Sequence, residues 1–139
     1  MSDQADHEEA IFLSFILPQR RARYLAILAK PKRRDDITGT LAHFWHLDMR
    51  YAVSIPPSQH NAHDILRFLK SKDAPDFCYV MSENSDLDGK QMSLEKALKE
   101  IVGRGIGTFV SCIKGKLGYF EDEDQRWILE RKTERKVRQ

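Results

Sequence analysis

Near residue 48 the apolar residues of this chain change period, and that change limits what it can fold into. Before it, apolar side chains recur about one helical turn apart. Examples are Tyr24, Leu25, Ile27 and Leu28, then Ile37, Leu41 and Phe44 or Trp45. After it, Met49, Tyr51, Val53 and Ile55 alternate with Arg50, Ala52 and Ser54, the two-residue repeat of a half-buried strand. Helices therefore come first and a sheet follows.

Prolines divide the helical part. The apolar run Ile11–Leu17 gives a first helix over about His7 to Ile16 an inner face. Pro18 suits the first turn of a second helix, where its missing N–H is not needed. Pro31 opens a third that the pattern carries to about Trp45, although Gly39 works against it. Pro56-Pro57 ends the strand over 49–55, and Ser58 is the expected N-cap of a helix bearing Ile65, Leu66, Phe68 and Leu69. Phe77–Met81 is almost continuously apolar, as in a central strand or one covered on both faces. Ser93 caps a short helix with Leu94, Ala97, Leu98, Ile101 and Val102 inward, and Gly103 stands where a left-handed C-terminal residue is wanted. Thr108–Ile113 and Leu117–Phe120 flank the turn Lys114-Gly115-Lys116. Trp127–Leu129 begins a last strand after the acidic turn Glu121–Asp124. The expected fold is α+β: N-terminal helices packed on a mostly antiparallel sheet of four to five strands, as a two-layer sandwich.

The chain has 139 residues, enough for one domain that buries roughly 65–70% of its unfolded surface. The expected domain spans 1–139, with residues 1–6 and 133–139 as disordered ends. The Ile11–Leu17 run follows His7-Glu8-Glu9 instead of a basic leader, and it is far shorter than the ~20 residues of a membrane helix. Cys78 and Cys112 both lie in strand-like apolar stretches, which suits free thiols in a reducing compartment. The expected location is cytoplasmic.

A net charge of +2 names no partner, but its distribution is uneven. Arg20, Arg21, Arg23, Lys30, Lys32, Arg33 and Arg34 fall between Gln19 and Arg34 with no acidic residue among them. Arg20, Arg21 and Arg23 would occupy the first turns of the second helix, and Lys32, Arg33 and Arg34 those of the third. A helix N-terminus already carries about half a positive charge, so cations there are unfavourable unless an anion joins them. These six residues are the candidate anion site of a non-catalytic binding or regulatory module. Its partner would be an acidic protein surface or a phosphorylated ligand. Nucleic acid is disfavoured, because the overall charge is small and no helix-turn-helix, RNP or zinc-finger pattern occurs. Competing arrangements are internal: Asp35 and Asp36 could satisfy the second cluster, and the acidic turn 121–124 could fold onto the basic helices.

Residues 84–95 offer a second candidate. Asn84, Asp86, Asp88 and Glu95 fall at positions 1, 3, 5 and 12 of a twelve-residue stretch, with Gly89 at the sixth. The segment resembles an EF-hand loop, which implies Ca2+ held by those four side chains. It departs from that pattern in carrying Asn at the first position, Gln91 at the eighth and Met92 at the ninth. Asp and Asn before Gly also form ordinary turns.

An enzyme reading rests on Cys112 as a nucleophile with a histidine brought close by the fold. His43 and His46, like His60 and His63, are spaced for a shared helix face, but no third zinc ligand accompanies either pair. Gly103-Arg104-Gly105-Ile106-Gly107 runs from helix to strand, the reverse of a phosphate loop. An exposed aromatic patch around Trp45, or around Tyr119 and Trp127, would indicate a homodimer.

Overall fold

Phe77–Ser82 (β2) and Thr108–Ile113 (β4) lie side by side inside a six-stranded sheet, and the continuous apolar run over 77–81 follows from that position. The computed structural model describes residues 3–131. Its helices are α1 (Asp3–Ser14), α2 (Pro18–Leu28), α3 (Asp35–Thr38), α4 (Ala62–Ser71) and α5 (Leu94–Ile101). The other strands are β1 (Ala52–Ser54), β3 (Lys90–Ser93), β5 (Leu117–Glu121) and β6 (Arg126–Glu130). The order across the sheet is β1-β6-β5-β4-β2-β3, and every neighbouring pair is antiparallel.

The α+β class with a mostly antiparallel sheet is as expected, but there are six strands instead of four to five. The unforeseen strand is β3. It has four residues, pairs with β2 at the sheet edge, and carries no fully buried side chain. Helices also cover both faces, so a third layer joins the expected two. Alternate residues of the strands separate cleanly. Tyr79, Met81, Phe109, Phe120 and Leu129 meet Ile11 and Phe12 of α1 and Phe15 and Ile16 just after it, together with Ile37, Leu41 and Phe44. Cys78, Val80, Val110, Cys112, Tyr119 and Ile128 meet Ile65 and Leu69 of α4 and four inward residues of α5. The helices that connect strands thus form the second cover, while the N-terminal helices form the first.

Local differences from expectation have local causes. Helix α1 begins at Asp3, and Gln4 Nε2 donates to the Gly89 carbonyl at 2.9 Å. The expected disordered end at 133–139 lies outside the described residues. The third helix is broken into a 3-10 turn (Pro31–Arg33), α3, and a second 3-10 turn (Leu41–His43). Gly39 sits at the break, and the chain beyond it docks on Gly107. The strand expected over 49–55 is shortened because Asp48 caps a 3-10 turn at Met49–Tyr51, accepting from the Arg50 N–H at 3.2 Å. Asn61, not Ser58, caps α4; its Oδ1 accepts from Asp64 N at 2.9 Å. Ser93 caps α5 as expected, and Gly103 takes the left-handed conformation at φ +87°.

Candidate functional site

Helix α2 starts at Pro18 with no acidic residue in its first turn and no side-chain cap. The three arginines that follow are separated by helical geometry. Arg21 turns inward: its Nε donates to the Ile16 carbonyl at 2.8 Å, and its Nη2 lies 3.6 Å from Asp48. Arg20 and Arg23, three residues apart, share another side of the helix and face the segment carrying Trp45 and His46. The Arg20 guanidinium stands 5.6 Å from the Trp45 ring centre. Among the described residues, no carboxylate reaches the side chain of either Arg20 or Arg23.

The second basic cluster is also divided. Arg34 is committed internally. It grips Glu8 of α1 and Asp88 of the β2–β3 loop, with Nη contacts of 2.5 Å to each, and Tyr79 donates its hydroxyl to the same Glu8 carboxylate. Hydrogen bonds to Asp88 and Glu8 raise the Arg34 pKa further, against the opposing effect of burial. Arg33 pairs with Asp36 at 3.0 Å on the surface. Lys32 is exposed and does not line the groove that holds Arg33. Of the six candidate residues, three come together: Arg20, Arg23 and Arg33.

These three line a groove of about 510 Å3 together with Tyr24, His43, Trp45 and His46, and Asp36 is the one carboxylate among its lining residues. Such a volume suits a small ligand or an inserted side chain. A wider depression along α4 lacks this imbalance, because Arg67 and Lys70 there pair with Asp64 and Asp76. The groove wall is held by an aromatic cluster. Tyr24 packs on Phe12 and Phe44, and its hydroxyl is 2.6 Å from His46 Nδ1. His46 Nε2 is buried without a hydrogen-bond partner. Burial, then the charges of Arg20 and Arg23, holds the His46 pKa below its ordinary value of 6.5. Burial raises the Tyr24 pKa, with Arg20 and Arg23 opposing it. At neutral pH the pair is a neutral phenol and a neutral imidazole beside two free guanidinium groups.

A first prediction follows. His46 will titrate below 6.5 in the free protein, and an anion placed near Arg20 and Arg23 will move it up by offsetting their charge. The folded state binds this proton less readily than the unfolded chain does. The stability associated with neutral His46 is therefore complete above the unfolded pKa and is lost as pH falls through 6.5 toward the folded value. Imidazole NMR signals followed against pH, with and without pyrophosphate, check both shifts.

The remaining candidates are dispersed. In the EF-hand-like stretch, Asp88 is bound by Arg34 and accepts from Ser82 N, and Asn84 accepts from Asp86 N. Glu95 lies on α5, paired with Lys99 at 3.4 Å. Among the described residues no group of three or more His, Cys, Asp or Glu is arranged to hold a metal. Cys112 is buried facing α4 and α5, and burial pushes its thiol pKa up; Cys78, on the adjacent strand, is pushed up to about 12. After burial, Cys78 raises the Cys112 thiol pKa and Lys70 lowers it. His7 meets Ser111 at 2.8 Å, but Ser111 is itself buried. His60 bonds the Ile55 carbonyl and His63 contacts Asp64.

The glycine segment and the acidic turn satisfy each other. Gly103 and Gly105 donate their N–H groups to Glu121 at 3.0 and 2.7 Å, and Tyr119 and Arg126 complete the surroundings of that fully buried carboxylate. Asp122 accepts from Asp124 N and Gln125 N within its own turn. Among the described residues the acidic run makes no ion pair with the arginines or lysines of the basic helices; the Glu123 carboxylate lies 3.8 Å from His43. Tyr119 is buried, so Trp45, 69% exposed, is the most open of the aromatic residues considered for an interface.

The sequence offered His43 and His46 only as a pair spaced for one helix face, and Trp45 as an alternative to Phe44 on the third helix or as an exposed aromatic patch; none of the three was expected in an anion groove. The break after Gly39 redirects them, and no periodicity in the sequence signals it. Among the described residues, no helix is long and apolar enough to cross a membrane. Comparisons with protein-family models, curated proteins and solved structures found no match.

Proposed function

We propose that this protein is a non-catalytic binding or regulatory module that receives an anionic partner in the Arg20–Arg23–Arg33 groove. One observation carries the reading: three guanidinium groups face a single carboxylate across a concave surface, and two of them have no counter-charge among the described residues. Arg20 also lies in the first turn of α2, where a cation is disfavoured by about 0.3–1 kcal/mol at low salt. An anion between Arg20 and Arg23 relieves that repulsion and accepts from guanidinium donors whose fork geometry matches a phosphate or carboxylate. A phosphorylated ligand fits better than a flat acidic surface, because the charges line a recess. The buried, unactivated thiol of Cys112 favours binding over covalent catalysis. Two buried free thiols favour a reducing cytoplasmic setting.

The test is retention on phosphocellulose across a salt gradient. The doubly substituted protein R20Q/R23Q should elute at clearly lower salt than the wild type. The control K32Q/K96Q removes the same number of charges from exposed residues that do not line the groove, and it should shift elution much less. Equal shifts for the two double changes would reduce the effect to overall charge and defeat the reading.

A further inference from the structure

The groove places an open indole among the cations. Trp45 is 69% exposed, rests against the His46 ring at 4.0 Å between centres, and has Arg20 at 5.6 Å. An exposed indole would ordinarily suggest a protein contact, which gathers apolar neighbours around it. The other exposed large apolar side chains, Leu13, Met49, Val53, Phe68, Phe77 and Ile106, all lie outside the groove. Trp45 is thus a single aromatic surface set among arginines and histidines, an environment that suits a ligand with a flat ring and a negative charge.

We infer that the groove takes a small organic phosphate, with its anionic group between Arg20 and Arg23 and a planar aromatic ring stacked on Trp45. A mononucleotide is the simplest ligand of this kind. This assignment rests on the anion-binding reading above and adds the ring to it. Stacking on an aromatic side chain tolerates any flat ring, so the groove distinguishes aromatic from non-aromatic phosphates more strongly than one base from another. Arg20 belongs to both halves of the site, since it faces the indole and also supplies charge to the anion. The about 510 Å3 available is in the range of a small-molecule site.

Calorimetric titrations with adenosine 5′-monophosphate, ribose 5-phosphate and adenosine separate the two halves. The monophosphate should bind roughly tenfold or more tightly than ribose 5-phosphate. Trp45→Ala should abolish that difference, so that the two phosphates bind alike. The exposure of Trp45 lets this variant fold, and circular dichroism verifies it. Equal affinity for the two phosphates in the wild type would overturn the stacking assignment and leave the anion site standing. Binding of adenosine as tight as that of its monophosphate, or no binding of either phosphate, would overturn both.

Discussion

Replacing Arg34 by alanine is expected to destabilise the protein by about 3 kcal/mol, seen as a lower urea midpoint and a melting point roughly 10 °C lower. Arg34 joins two parts of the chain far apart in sequence, Glu8 on α1 and Asp88 in the β2–β3 loop. Its side chain is 23% exposed, against 10% for Glu8 and 19% for Asp88, so solvent screens the pairs only partly. Removing the guanidinium strands two carboxylates near the buried Tyr79 hydroxyl, and unpaired charge at such depth is what makes the loss large. Lysine keeps the charge but not the fork that reaches both acids, so Arg34→Lys should fall between wild type and alanine. A midpoint unchanged in Arg34→Ala would mean these pairs behave like ordinary surface ones. Among the six basic residues this one is structural, and its loss should lower stability without changing the intrinsic preference of the groove for phosphate.

Gly107→Val is expected to cost about 3 kcal/mol as well, through overpacking that no rotamer change can relieve. A Cβ at Gly107 would stand 2.2 Å from the Leu41 carbonyl carbon and 2.4 Å from Ala42 N, backbone against backbone. The Leu41–Ala42 segment is also tied down by Glu83, whose carboxylate accepts from Ala42 N at 2.9 Å. This anchored stretch leads directly into His43, Trp45 and His46. Displacing it should therefore weaken anion binding together with stability, whereas Arg34→Ala should affect stability alone. Urea titrations and phosphate-resin elution of the two variants side by side check the distinction. Should Gly107→Val keep wild-type stability, the close approach of the two segments would be incorrect.

Much of the architecture was legible because it rests on short-range rules. Pro18 at the start of α2, Ser93 as the cap of α5, Gly103 after it and the Lys114–Lys116 turn each follow from local chemistry. β3 escaped because four residues with no buried side chain produce no apolar alternation, and the same residues sit within an EF-hand-like spacing. The strand at 49–55 was overcalled for the opposite reason. Its alternation is real, but Met49 is 52% exposed and Asp48 captures the backbone in a 3-10 turn. At the site, the sequence showed which residues were basic but not where each pointed. Helical position sent Arg21 inward to Ile16, while Arg34 was claimed by acids 26 and 54 residues away. Such partners are set by tertiary packing, and Trp45 and His46 reach the groove only because the helix stops at Gly39.

The location of a bound anion is the most direct observable. Pyrophosphate titrated into isotopically labelled protein should produce its largest NMR shifts at the Arg20 and Arg23 guanidinium Nε–H groups, with smaller ones at Tyr24 and His46. Shifts centred on any other surface, or none at saturating pyrophosphate, would contradict an anion site in this groove.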